Sequence, residues 1–218
     1  MFCNIVGGVI SPLLSNLYMR RFLLGWKTLG LERRLQARIV NFADDFVICC
    51  RGTGEQAMDA MRTMMVRLKL TVNEEKTGHC RIPQGHFDFL GYTFGRCYST
   101  QTGRAYIGTR PSKKSIRKVC RTIREATSRR WLLKDSEDRV EALNRVLVGW
   151  ANYFSLGPVS KAYRAVDSHT TERLRRWLRK KHKQPGQGTA RFPDEHLYDV
   201  LGLQRLSVRT RDLPWAKA

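Results

Sequence analysis

Residues 110–183 carry 21 Lys or Arg against 7 Asp or Glu. Cations at that density repel one another, so a compact state must turn them outward and set them against a polyanion. The full 218-residue chain has 40 basic and 19 acidic residues, a net charge of +21. Two thirds of the excess therefore sits in one third of the length. The polyanion is either nucleic acid or an acidic membrane surface. No apolar run approaches the roughly 18–20 residues that span a bilayer, and nucleic acid is the partner this charge fits, with no membrane role expected. Hydrophobic residues make up 42% of the chain, with five Trp, seven Tyr and nine Phe. That is enough apolar material to bury a core and to exclude a largely disordered chain.

Residues 1–10 lack the basic start and cleavage site of a signal peptide. Six cysteines (Cys3, Cys49, Cys50, Cys80, Cys97 and Cys120) show no CxxC spacing. They read as free thiols in a reducing cytosol rather than as zinc ligands. His79, His86, His169, His182 and His196 form no metal or nucleophile pattern.

Elements can be placed from periodicity. Ser11-Pro12 can open a helix through Leu13, Leu14, Leu17 and Tyr18, because Pro is tolerated in the first turn. The apolar runs 37–42 and 46–50 flank Ala43-Asp44-Asp45 and predict a hairpin with acids at its tip. Residues 55–70 place Ala57, Met58, Met61, Met64, Met65 and Leu68 at helical spacing, a core stripe. Residues 87–94 and 104–107 predict a second hairpin, turned around 101–103. Beyond Arg110-Pro111 the pattern becomes helical, and three helices are predicted over 112–129, 136–154 and 159–183. Ser136 is placed as the N-cap of the second, with Glu137 and Asp138 in its first turn, and Gly157-Pro158 separates it from the third. Residues 184–191 read as a basic loop before an apolar segment at 197–206.

Adjacent carboxylates at a hairpin tip repel each other unless a cation neutralises them. Magnesium does so, since it takes carboxylate oxygens together with substrate phosphates. A pair of such ions can activate a 3′-hydroxyl and stabilise leaving pyrophosphate. Taken alone, Asp44-Asp45 reads more readily as a solvated turn. Its context changes that reading. Asn41-Phe42-Ala43-Asp44-Asp45-Phe46 resembles the Tyr/Phe-Ala-Asp-Asp box of reverse transcriptases. Gly7-Gly8-Val9-Ile10-Ser11-Pro12-Leu13-Leu14-Ser15-Asn16-Leu17-Tyr18 resembles the preceding box of the group II intron enzymes. Leu70-Thr71-Val72-Asn73-Glu74-Glu75-Lys76-Thr77 resembles the next palm motif, and Phe87-Asp88-Phe89-Leu90-Gly91-Tyr92 the hairpin that grips the primer end. Farther on, Gly149-Trp150-Ala151-Asn152-Tyr153-Phe154, the helix at 173–183 and Asp194-Glu195 with Leu197-Tyr198 resemble the maturase-specific region.

The resemblance is to group II intron reverse transcriptase/maturases, RNA-directed DNA polymerases that also assist intron splicing. It implies an α+β fold, with a partial reverse-transcriptase palm (an antiparallel sheet with helices) over 1–109. A thumb begins at 110–135, and a mainly helical RNA-binding thumb/maturase region occupies 136–218. It implies Asp44 and Asp45 as catalytic, Mg²⁺-binding residues, Asp44 the main ligand, and Phe89, Leu90 and Gly91 as primer grip. It further places Gly7, Gly8, Ser11, Pro12, Asn16 and Lys76 near nucleotide or template. The basic positions Lys113, Lys114, Arg117, Lys118 and Arg121, and Arg173, Arg175, Arg176, Arg179, Lys180 and Lys181, recur at helical spacing. Such stripes bind phosphates without reading sequence. Implied partners are group II intron RNA, a DNA primer or target, and a separate N-terminal reverse-transcriptase fragment, in a bacterial cytoplasm.

The pattern departs from the family before Gly7, where Met1-Phe2-Cys3-Asn4-Ile5-Val6 stands in place of the usual Pro-Gln lead. The expectation is a truncated or frame-shifted frame without fingers and without the upstream palm carboxylate. Its magnesium binding is expected to be weak, and the chain to be inactive as a polymerase alone. The competing expectation is a non-catalytic RNA-binding maturase module.

Overall fold

The computed structural model describes residues 10–99, 101–186 and 189–213. The chain divides into two compact units, one ending at Cys80 and the other starting at Arg81. The division falls ahead of Arg110-Pro111, where the periodicity turns helical. Three strands thus share a unit with the helices that follow them, because their hydrogen bonds and ring contacts run to those helices.

In the first unit, helix α1 (Ser11–Thr28) is followed by one helical turn, α2 (Leu31–Arg34), and by an antiparallel hairpin of β1 (Ala37–Phe42) and β2 (Asp45–Cys50). Helix α3 (Gly54–Arg67) follows. Met19, Phe22 and Trp26 lie at i, i+3 and i+7 on α1, one helical face. They are buried with Ala57, Met61, Met64 and Met65 of α3. The methionine stripe is therefore core, as its spacing predicts. Gly25 lets the two helices approach: a Cβ there would stand 2.9 Å from the Met64 Cε.

The second unit opens with a three-stranded antiparallel sheet of β3 (His86–Phe89), β4 (Tyr92–Tyr98) and β5 (Ala105–Pro111), in that spatial order. Residues 87–94, read from sequence as one strand, are two strands joined by a tight turn at Leu90-Gly91. The box resemblance placed a hairpin at 87–92, whereas periodicity hides the turn because two-residue turns of this kind favour Asn-Gly or Asp-Gly, and here Leu90 holds its position at φ 51° and Gly91 at φ 79°. Helices α4 (Lys113–Ala126), α5 (Ser136–Tyr153) and α6 (Ser160–Lys181) complete the unit. Val119 and Ile123 of α4, Val140, Leu143 and Leu147 of α5, and Val166, Leu174, Trp177 and Leu178 of α6 form one core with Leu197, Leu203 and Leu206.

Capping corrects one expectation. Ser136 lies inside α5 and is buried, while Asp135 occupies the N-cap position without a side-chain cap bond. The side-chain cap forms instead at Ser112, whose Oγ accepts from the Ser115 amide at 3.1 Å at the start of α4. Buried Asp167 accepts from the Leu206 and Ser207 amides, each at 2.9 Å. Those bonds fasten the C-terminal 3₁₀ turn, Leu206–Asp212, to α6.

Candidate nucleic-acid interface

Across the β1–β2 hairpin, Ile39 pairs with Ile48 and Asn41 with Phe46. Strand alternation puts these four on one face with Ala37 and Cys50. That face is the core side, since Phe46 meets the Phe22 ring at 5.2 Å. Asp45 falls on the opposite face, and Asp44 occupies the turn; both are exposed. The turn is shaped by Ala43 at φ 52°, a value typical of the primed turns that close twisted hairpins, and by Asn41. The Asn41 Nδ2 donates to the Ala43 carbonyl at 2.8 Å and the Asp45 carbonyl at 3.4 Å, holding the loop across its neck. Nothing in local periodicity singled out Asn41; only its place within the box could have done so.

Two exposed carboxylates beside each other are a donor set magnesium accepts, because the ion takes one or two carboxylates and fills its shell with waters and phosphates. Among the described residues no third His, Cys, Asp or Glu joins them. Other residues placed near nucleotide or template are more scattered. Asn16 is exposed on α1 and lines an open groove with Arg20, Lys27 and Asn41. Lys76 is exposed on a turn closed by Asn73, whose Oδ1 accepts from the Lys76 amide at 3.2 Å. Ser11 and Pro12 contribute backbone to the first turn of α1, and Gly7 and Gly8 lie outside the described residues.

In the second unit the Leu90-Gly91 turn is held from several sides. The Ser112 amide and Ser115 Oγ donate to the Gly91 carbonyl at 2.9 and 2.6 Å. The Tyr153 hydroxyl donates to the Leu90 carbonyl at 3.0 Å. The Tyr92 hydroxyl, raised above its ordinary pKa by burial and so a neutral donor, bonds the Tyr153 carbonyl at 2.5 Å. A Cβ at Gly91 would meet Ser115 Oγ at 2.9 Å and Phe154 Cζ at 3.0 Å. The N-terminus of α4 and the C-terminus of α5 thus fix the turn that carries Leu90 and Gly91. Ser115 and Tyr153 were not found from sequence, because both contacts join residues far apart in the chain.

The basic stripes separate into two kinds. On α4, Val119 and Ile123 point inward, and Lys113, Lys114, Arg117, Lys118 and Arg121 are all exposed. None of these five forms an ion pair or side-chain hydrogen bond among the described residues. On α6, by contrast, several cations serve the fold. Arg173 donates to the Thr127 hydroxyl at 3.2 Å and to the Arg124 and Thr127 carbonyls at 3.4 Å. Burial and the neighbouring Arg176 and Arg124 lower its pKa. Arg175 binds the Phe192 carbonyl at 2.8 Å and the Asp194 carboxylate. Lys181 donates to the Leu132 and Lys134 carbonyls at 3.3 and 2.7 Å. Arg176 pairs with Glu172, Lys180 is exposed, and Arg179 is half-buried. Of the two stripes, α4 therefore leaves its cations free, and α6 adds mainly Lys180. The interleaved aromatics Trp150, Tyr153, Phe154 and Trp177 read from sequence as helix-bundle core rather than as a base-stacking set; Phe154 and Trp177 are buried and Trp150 packs half-buried against the core, whereas Tyr153 is exposed.

Among the described residues, the first unit thus presents an exposed acidic pair on a hairpin, and the second a helix whose exposed cations recur along one face. A family model of reverse transcriptase (RNA-dependent DNA polymerase) matches residues 5–94, and a model of the group II intron maturase-specific domain matches residues 116–192. The chain belongs to the group II intron reverse transcriptase/maturases. The maturase match begins inside α4, so most of the α4 cationic face lies within it. No curated protein matches the sequence. No helix among the described residues is long and apolar enough to cross a membrane.

Proposed function

We propose that the α4 face is the surface on which this maturase holds its intron RNA. The observation that carries this is the set of five exposed, unpaired cations of Lys113–Arg121 opposite a buried apolar stripe, three of the five (Arg117, Lys118 and Arg121) lying within the residues matched by the maturase-specific domain. Phosphate contacts of this kind give affinity and orientation, and shape complementarity supplies the choice of RNA. The test compares a transcribed group II intron RNA with an unrelated structured RNA of equal length. The intron RNA is expected to bind more tightly, and the Lys113→Gln/Lys114→Gln/Arg117→Gln variant to lose affinity for both. Equal affinity of the unaltered chain for the two RNAs would contradict a maturase role.

The Asp44–Asp45 hairpin contributes two carboxylates toward a magnesium site for RNA-templated DNA synthesis. Asp44 and Asp45 would hold the magnesium, which would supply positive charge against the phosphates and favour loss of the primer 3′-hydroxyl proton. The chain's own contribution is to present both carboxylates on a turn fixed by Asn41, and to hold the primer end at Leu90-Gly91. A DNA primer and a separate fingers–palm fragment are the partners this reading adds. Its first readout is Mn²⁺ binding, followed by water-proton relaxation, which Asp44→Asn should weaken about tenfold, as expected when one of two charged ligands is lost. Primer extension on an RNA template then separates the outcomes. Extension that appears only on mixing with the fingers–palm half, and is lost in Asp44→Asn, is the expected result. Mn²⁺ binding unchanged by the substitution would contradict the assignment.

A further inference from the structure

Away from the primer-grip turn, the sheet of the second unit has a face with no role so far. Tyr92, Phe94, Arg96 and Tyr98 alternate along β4 onto one side, and the register sets Phe87 opposite Phe94 and Ile107 opposite Arg96. At the turn end this side is closed: Tyr92 is buried and meets the Phe154 ring at 5.0 Å. Toward the other end it opens. Phe87 and Phe94 stack at 5.3 Å with their planes only 12° apart, and both are half-buried. Tyr98 is 59% exposed and Ile107 66% exposed, large apolar groups left to water on adjacent strands. Arg96 lies over the Tyr98 ring at 5.4 Å. No acidic residue occupies this side of any of the three strands or the connection 99–104, where Arg104 adds a further cation. The nearest carboxylate in the sheet, Asp88, points to the other side, where it accepts from the Thr93 hydroxyl.

An antiparallel sheet that presents aromatic rings flanked by arginine, without acids, has the chemistry of a base-stacking platform. Rings bind the faces of unpaired bases, whatever their identity, while guanidinium groups contact the phosphates between them. A duplex cannot use such a surface, because its bases already stack on one another. We infer that the open end of this face, centred on Tyr98, Arg96 and Ile107 with Phe94 behind them, binds a single-stranded segment of nucleic acid. The site is separate from the primer grip: it lies at the far end of β4 from Leu90-Gly91, about 20 Å along a seven-residue strand. It is also separate from the cationic face of α4, which contacts phosphates alone. The two surfaces divide the work by the form of the RNA, helical on α4 and unpaired on the sheet. The inference rests on the reading that the chain binds RNA.

The experiment uses the full chain and two probes: a short unstructured adenosine oligoribonucleotide carrying one 2-aminopurine, and a blunt RNA duplex of the same length. Tyr98→Ala is expected to weaken single-strand binding on the order of tenfold and to abolish the quenching of 2-aminopurine that stacking produces. Duplex affinity should stay within about twofold, a change too small for the loss of a phosphate contact. Tyr98→Phe, which keeps the ring, is expected to restore both single-strand readouts. Because Tyr98 is largely exposed, an unchanged melting temperature in Tyr98→Ala excludes unfolding as the cause. Single-strand affinity unchanged in Tyr98→Ala, or reduced equally with the duplex, would overturn the inference and leave the face to a protein partner. If the unaltered chain bound neither probe, the RNA-binding reading beneath it would fall as well. The Lys113→Gln/Lys114→Gln/Arg117→Gln variant tells these apart, since its duplex binding should drop while 2-aminopurine quenching persists at saturation.

Discussion

Leu90 and Ala43 hold positive φ in the β3–β4 and β1–β2 turns, a conformation that costs an L-residue with a Cβ roughly 1–2 kcal/mol. Strain of this kind persists only where the surroundings over-determine it, and here they do. Asn41 spans the neck of the acidic turn, and three hydrogen bonds from Ser112, Ser115 and Tyr153 hold the Leu90-Gly91 turn. Gly91→Ala adds a Cβ at φ 79°, within 3.0 Å of Phe154 and closer still to Ser115. It is expected to destabilise the second unit by about 1–3 kcal/mol, seen as a lower urea midpoint, and a midpoint equal to that of the unaltered chain would show that the clamp is loose. At this scale the acidic hairpin tip was legible from the apolar runs that flank it, and only the box around Asp44 and Asp45 distinguished it from a solvated turn. Asn41, Ser115 and Tyr153 were not, since their bonds go to backbone carbonyls that no spacing rule identifies.

Among the elements, α4 and α6 look alike in sequence and differ in use. Both carry cations at helical spacing, but α4 turns its own away from the core and α6 folds three of its own back onto loops and helix ends. Arg173 bridges the end of α4, and Lys181 closes the connection between α4 and α5. Arg173→Ala is accordingly expected to cost about 1–3 kcal/mol of stability by leaving the hydroxyl and carbonyl of buried Thr127 short of a donor. Lys118→Ala should leave the melting temperature within a degree or so, as exposed substitutions do, and lower RNA affinity instead. Thermal unfolding and RNA titration of the pair check this, and the reverse assignment would show that the stripes have been exchanged. Helix positions and the methionine stripe were readable because periodicity reports burial directly. Which cations stay free was not, because spacing describes a face and says nothing of what faces it. Periodicity hid the β3–β4 turn, which only the box resemblance placed, for a related reason: tertiary hydrogen bonds, not local preference, hold Leu90 there.

For the molecule as a whole, the surplus of 21 positive charges is the feature on which the account turns. Charge and motif order made the family legible, and the division after Cys80 was hidden because it follows contacts between β3–β5 and the helices rather than composition. A chain with this surplus gains from releasing the counterions of a polyanion, so its affinity for RNA must fall as salt rises. The most direct test is the affinity for a transcribed group II intron RNA as a function of salt, for the unaltered chain and for Lys113→Gln/Lys114→Gln/Arg117→Gln. The account predicts a steep linear fall of log affinity against log salt, and a slope shallower by about 2–3 in the variant, close to one per phosphate contact removed. A slope near zero, or the same slope in both proteins, would contradict the claim that the α4 face holds the RNA.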